Sequence, residues 1–296
     1  MPAIRQDPTT KDWVIVASDR ARRPHDLRSP RPRSTSDSPD PACPFCPGNE
    51  ALTPPELLRS AAPDGAGWSV RVVANKFPVL ARDGERAHRQ RREDGPFFTE
   101  IDGVGSHEVI VETPAHDRPM ALMADAEVEQ ILRAYQARYR VLREDPRVKW
   151  ILIFKNHGEG AGTSLRHPHS QLVATPVPPM QIRRKYEVAT AHYDATGRCL
   201  YCDLVEAEVR GQVRVVVKTD RFVVVHPFAS RVPFETWILP TRHQPSAIRV
   251  RGWKAVWRRT RPDGSVCGWS PPIVPVSANP HSSQAERSVP GYMVRP

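Results

Sequence analysis

The chain has 296 residues, of which 32 are Pro and 5 are Cys, and its formal charge is +10. That length suggests about two domains with room for a core. A proline content about twice the usual argues against a helix bundle or coiled coil. Its apolar runs, such as Trp150–Phe154, are far too short to span a membrane as helices. The opening Met1-Pro-Ala-Ile-Arg-Gln-Asp has no apolar core of a secretory signal. The expectation is a soluble, cytoplasmic protein. The charge leaves a nucleic-acid partner open until it is located along the chain.

Taken in chain order, residues 13–17 read as a strand. Residues 26–42, rich in Ser, Pro, Arg and Asp, read as a loop. Further strands are expected at 69–74 and 107–112. Val128, Ile131, Leu132, Tyr135 and Leu142 recur at helical spacing, and Asp125 is placed to cap that helix. Strands follow at 150–154, 171–174, 213–217, 222–225 and 237–239. The pattern is mixed α and β. Residues 248–296 differ from the rest: they contain no Leu or Phe, hold Trp253, Trp257 and Trp269, and carry +6 of the net charge. No apolar period runs through them. They read as an irregular basic tail, either a flexible extension or the product of a reading-frame change near Ser246.

Cys43-Pro-Phe-Cys46 and Cys199-Leu-Tyr-Cys202 share a C-x-x-C spacing. Structural disulfides are not expected in a cytoplasmic chain, so each pair is a redox couple or half of a metal site. A redox pair usually opens a helix after a strand, whereas Cys43 follows a Pro/Ser-rich loop. Zinc needs two further ligands, for which His116 and His167 are candidates beside the first pair. Each pair introduces strand-like strings and then a Pro closely followed by His, at His116 and at His243. This echo suggests a duplicated unit: one over 1–180, an incomplete one over 181–247, and the tail over 248–296. His107 lies in a predicted strand and reads as structural.

The segment from Phe154 to Gln171 is the richest in chemistry. Asn156, Gly158, Gly160, Gly162 and Ser164 form a turn able to approach a phosphate with backbone N–H groups. It runs into His167-Pro168-His169-Ser170-Gln171. On a strand, alternate residues share a face, so His167, His169 and Gln171 are expected to point to one side. An imidazole beside a phosphate cradle can attack phosphorus when its other nitrogen is fixed by an acceptor.

These residues resemble the transferase branch of the histidine-triad superfamily, and within it the galactose-1-phosphate uridylyltransferase family. Supporting strings in family order are Asp19-Arg-Ala-Arg-Arg-Pro24, Cys43-Pro-Phe-Cys-Pro-Gly-Asn-Glu50, Asn75-Lys-Phe-Pro78, Ser106-His-Glu-Val-Ile-Val-Glu-Thr-Pro-Ala-His116, the His-Pro-His-Ser-Gln string and Pro233-Phe-Glu-Thr-Trp-Ile-Leu-Pro240. The resemblance implies an α+β fold of duplicated histidine-triad-like units, with antiparallel sheets and packed helices and an incomplete second unit, and ping-pong transfer of UMP from UDP-glucose to galactose 1-phosphate. His169 would be the nucleophile, the His167 carbonyl would hold its tautomer, and Gln171 would donate to a phosphate oxygen. Arg20, Arg23, Asn156, Gly162 and Ser164 would surround the phosphates, and Phe45 and Asn75 the base and ribose. Cys43, Cys46, His116 and His167 would bind structural zinc, and Cys199, Cys202 and His243 resemble part of a second metal site. Family members continue past the region matched here and form dimers that help bind the hexose. Nothing after about Ser246 matches, so weak or absent turnover and a doubtful dimer are expected. Two other readings stand beside this one. A related adenylyl transferase would use ADP-glucose and phosphate; a zinc-stabilised nucleic-acid-binding protein would use the basic tail.

Overall fold

The computed structural model describes residues 2–6, 13–16, 40–63, 65–84, 89–91, 95, 97–157, 161, 163, 165–230, 234–243, 288–289 and 292–295. The chain divides into two compact units, one of residues 1–180 with 278–296, the other of residues 181–277. Among the described residues the fold is α+β, with antiparallel sheets and three α-helices.

The first unit is built on a five-stranded antiparallel sheet. Its strands are β3 (Glu56–Ala61), β4 (Trp68–Ala74), β7 (Ser106–Val111), β8 (Trp150–Phe154) and β9 (His169–Thr175), in the order β3-β4-β7-β9-β8. Every residue of β7 and β9 is buried, as expected of central strands covered on both faces. Their register runs from Ser106↔Ala174 to Val111↔His169. On one face, Val70, Val72, Ile110, Leu172 and Ala174 pack with Ile131, Ala134, Tyr135 and Leu142 of helix α1 (Asp125–Arg143). On the other, Val73, Val109 and Val111 pack with Cys43, Phe45, Cys46 and Trp68. A second sheet contains β1 (Ala3–Gln6), β2 (Trp13–Val16), β5 (Arg89–Arg91) and β6 (Thr99–Asp102). Its Ile4, Ile15 and Ile101 join Val79, Leu80, Phe154 and Val173.

The N-cap of helix α1 lies one residue earlier than expected. Ala124 is the N-cap and Asp125 the first helical residue. The Ala124 N–H donates to the Glu127 carboxylate at 2.8 Å. That bond is half of a capping box, and Asp125 and Glu127 both complement the helix dipole. A buried ion pair ties α1 to β7: Arg138 donates two bonds of 2.7 Å to Glu108. The start of β7 depends on Gly105, where an added Cβ would lie 2.1 Å from the Ala174 carbonyl oxygen.

The second unit has two helices, α2 (Met180–Thr196) and α3 (Leu200–Gly211), and a three-stranded antiparallel sheet, β10 (Val215–Lys218), β11 (Phe222–Val225) and β12 (Trp237–Pro240). Leu204, Val205 and Val209 of α3 cover Val223, Val225 and Leu239. The two C-x-x-C strings differ in conformation. Residues 43–46 form turns, whereas Cys199 caps α3.

Most of the 248–296 tail lies outside the described residues, as does most of the 26–42 loop. The tail is not irregular throughout. Backbone pairing forms β13 (Ser288–Val289) and β14 (Tyr292–Arg295), and β14 pairs in parallel with β2. Composition alone hid this because two-to-four-residue strands carry no readable period.

Candidate active site and metal centre

Residues 40–49 make the first ligand loop. The Asn49 side-chain amide donates to the carbonyls of Asp40, Pro41 and Cys43 at 3.0, 3.1 and 2.8 Å. The Asp40 N–H points at Cys46 Sγ, 3.3 Å away. These bonds curl the loop so that both thiols face inward. His116 arrives from the loop after β7, and its Nδ1 lies 3.2 Å from Cys46 Sγ. His167 arrives just ahead of β9, with Nδ1 3.7 Å from Cys43 Sγ and 3.6 Å from Cys46 Sγ. The four ligand atoms lie within 4.8 Å of one another, so these residues are positioned to bind a metal.

The protonation pattern fits a cation. His167 Nε2 donates to the Thr113 carbonyl at 2.7 Å, so the neutral ring presents a bare Nδ1 to the thiols. Burial holds the imidazole down to about pKa 4, which keeps it neutral. Burial pushes the Cys43 thiol up to about 12. A divalent cation would reverse that penalty by stabilising the thiolate.

His167 also serves its neighbour. Its carbonyl accepts a bond of 2.8 Å from His169 Nδ1–H. That leaves Nε2 of His169 as the unprotonated nitrogen of the neutral ring. Phe45 packs against both rings, with centroids 6.0 Å from His167 and 5.4 Å from His169. The expectation that His167, His169 and Gln171 share one strand face needs correction. Strand β9 begins at His169, so His169 and Gln171 share a face, while His167 precedes the strand and turns to the thiols. Pro168 lacks an N–H for the ladder, but its carbonyl accepts from the Glu112 N–H at 3.1 Å.

Beneath strand β9 lies a buried polar network that the linear pattern did not reveal. Glu112 accepts short bonds from Lys155 and Ser170, and Tyr135 lies 2.5 Å from the Ser170 hydroxyl. Burial, helped by the Glu112 charge, pushes the Tyr135 phenol up. Lys155 precedes Asn156, and Phe154 pairs with Gln171.

His107 is buried beside Gln171. Its Nε2 lies 2.9 Å from Gln171 Oε1 and 3.1 Å from Asn75 Nδ2. Asn75 is held in turn by its Oδ1, which accepts the Phe77 N–H at 2.9 Å. Phe45, Asn75, Asn156, His169 and Gln171 are thus all described, whereas Arg20, Arg23, Gly162 and Ser164 lie outside the described residues.

In the second unit, Cys199, Cys202 and His243 bring three ligand atoms within 4.8 Å of one another. The Cys202 Sγ to His243 Nδ1 distance is 3.1 Å, and the cluster borders a cavity of about 390 Å³. No helix among the described residues is long and apolar enough to cross a membrane.

Residues 1–179 match the family model described as galactose-1-phosphate uridyl transferase, N-terminal domain. An ADP-glucose phosphorylase of Arabidopsis thaliana is 35% identical over 255 residues, covering 86% of this chain and 70% of that protein. A galactose-1-phosphate uridylyltransferase of Thermotoga maritima is 32% identical over 243 residues, covering 82% and 68%. The crystal structure of the Arabidopsis phosphorylase with bound ADP-glucose superposes with a TM-score of 0.58 at 31% identity, over 82% of this chain and 69% of that one. A uridylyltransferase structure superposes at 0.61 and 30% identity, over 82% and 67%. The chain therefore spans about two thirds of the length of these relatives, and it belongs to the galactose-1-phosphate uridylyltransferase family of nucleotidyltransferases.

Proposed function

We propose that this chain moves a nucleotidyl group from a nucleotide sugar to a phosphate acceptor through a covalent intermediate on His169. The observation that carries this reading is the 2.8 Å bond from His169 Nδ1–H to the His167 carbonyl, which leaves Nε2 ready to attack. In the first half-reaction Nε2 attacks the α-phosphorus of UDP-glucose. The P–N bond forms as the bond to the glucose 1-phosphate oxygen breaks. In the second, a phosphate oxygen of galactose 1-phosphate attacks the same phosphorus, the P–N bond breaks, and UDP-galactose leaves. Sugar phosphates leave and attack without protonation near neutral pH, so Gln171 in place of a third His suffices. Arg20, Arg23, Asn156, Gly162 and Ser164 are assigned to the phosphates, and Phe45 and Asn75 to the base and ribose.

The 35% identity to an ADP-glucose phosphorylase supports a second reading equally well. There AMP passes from ADP-glucose to His169 with release of glucose 1-phosphate, and inorganic phosphate then takes it from His169, giving ADP. Neither reading uses the basic tail, and both place the reaction in the cytoplasm.

The first cluster offers two thiols and two imidazoles, the donor set of a closed structural zinc site. When bound, zinc would stabilise the thiolates and fix the segment leading into β9. Cys199, Cys202 and His243 are assigned to a second, less enclosed metal.

Incubation with UDP-glucose or ADP-glucose, each labelled in its α-phosphate, tests the proposal and chooses the base. An acid-labile, alkali-stable label on wild type that is absent from His169→Asn is expected. Label that persists in His169→Asn removes His169 as the nucleophile.

A further inference from the structure

His107 and Gln171 sit on neighbouring strands. Val109 pairs with Gln171 in the β7–β9 register, which makes His107 and Gln171 diagonal neighbours on one face. The His107 side chain is only 2% exposed, so its hydrogen bonds are made with protein groups. Its Nδ1 accepts the Val79 backbone N–H at 3.2 Å. A backbone N–H can only donate, so Nδ1 must be the unprotonated nitrogen of a neutral ring. The proton then sits on Nε2, which is 2.9 Å from Gln171 Oε1. A ring N–H facing an amide requires the amide oxygen there. The Gln171 NH2 group consequently faces away from His107.

We propose that His107 is a positioning residue that sets the orientation of Gln171, so that the amide presents N–H donors, not its oxygen, to the phosphate held near His169. The proposal rests on the nucleotidyl-transfer reading. An amide turned the other way would set a carbonyl oxygen against phosphate oxygens, a repulsive contact in place of a charge-assisted bond. Asn75 Nδ2 comes within 3.1 Å of the same Nε2. The protonated nitrogen cannot accept from it, so Asn75 offers no competing bond to fix the ring, and the Val79 N–H decides the tautomer.

The test uses the full chain. Single-turnover labelling of His169 and nucleotide-sugar affinity are measured for wild type, His107→Phe, Gln171→Ala and the double variant. His107→Phe is expected to slow labelling roughly tenfold or more, the effect of losing a bond to a charged group. Affinity should change by less than about threefold, because the bond matters most as charge develops. In the Gln171→Ala background the His107→Phe change should slow labelling no further. His107→Gln, whose NH2 can donate to Oε1, should recover part of the rate. Equal slowing by His107→Phe in both backgrounds overturns the proposal, since a merely structural residue acts without Gln171. An independent arm needs neither a variant nor activity. The 15N spectrum of His-labelled wild type should show His107 with a bare Nδ1 and a protonated Nε2, and a protonated Nδ1 overturns the proposal. Wild type that takes no label from either nucleotide sugar refutes the nucleotidyl-transfer reading, while the spectrum still decides the tautomer.

Discussion

Two Cys-x-x-Cys segments in one chain lead to two different clusters. Around Cys43 and Cys46, two imidazoles complete a four-atom set, and Cys43, Cys46 and His167 are buried. Around Cys199 and Cys202, His243 supplies the third ligand atom among the described residues, and the cluster borders a cavity. The first cluster is also continuous with His169, the proposed nucleophile: His167 gives Nδ1 to the thiols, Nε2–H to Thr113 and its carbonyl to His169. The lesson is that a short spacing places two thiols together, while distant segments decide how many ligands join them and what else those ligands hold.

The largest effect should come from breaking the first cluster. Cys46→Ser should remove the metal of that unit, lower labelling of His169 more than about 100-fold and abolish a sharp unfolding transition. Elemental analysis, labelling and calorimetry on the same sample check this. Retained labelling would separate the cluster from the nucleophile. Glu108→Gln comes next: it strands the buried Arg138 guanidinium and should cost about 3–5 kcal/mol in denaturant unfolding. Its label per folded molecule should stay near wild type, because the ion pair lies on the α1 face of the sheet. Gly105→Ala should cost roughly 1–3 kcal/mol as β7 shifts to clear the Ala174 carbonyl; an unchanged midpoint would show that the strands give way freely. Cys202→Ser should matter least to chemistry. Metal content should fall by one equivalent and labelling stay within about threefold. A labelling loss as large as that of Cys46→Ser would erase the contrast.

A pH series sharpens the same comparison. Burial holds His167 at about 4, below its ordinary value of 6.5. In metal-stripped protein the unfolded chain therefore takes up the proton first. The stability tied to this neutral ring is complete above about pH 6.5 and is lost as pH falls toward 4. Urea midpoints of chelator-treated wild type should show that decline, and His167→Asn should show less of it. A wild-type midpoint that rises on acidification would contradict the assignment.

Much of the site was legible because its parts are close in sequence. The C-x-x-C spacing, the His-Pro-His-Ser-Gln string and the Gly-rich turn are local signals, and residue type alone suggests their chemistry. Strands β4, β7, β8 and β9 and helix α1 were legible for the same reason, since their apolar runs and periods are long enough to read. Helices α2 and α3 were not. None of the residues in α2 is buried, and the apolar residues Leu204, Val205 and Val209 of α3 are partly buried against a short sheet formed later in the chain. Asp125 was misplaced by one residue because a cap depends on backbone angles that residue type does not fix. The contact between His107 and Gln171 was not legible. Nothing in Ser106-His107-Glu108 indicates that Gln171, 64 positions away, will lie beside the ring.

The sequence by itself determined the residue types of the nucleophile segment, the thiol pairs, the main sheet strands and the concentration of charge in the tail. Those features depend on composition and short-range spacing, which need no long-range contact. Only the tertiary structure decided that His167 leaves the strand face, that Glu112 gathers Lys155 and Ser170, and that Val79 selects the His107 tautomer facing Gln171. Each depends on strand register: pairing Val111 with His169 brings β7 and β9 together in one alignment, and a slip of one residue would send every one of those side chains to the opposite face.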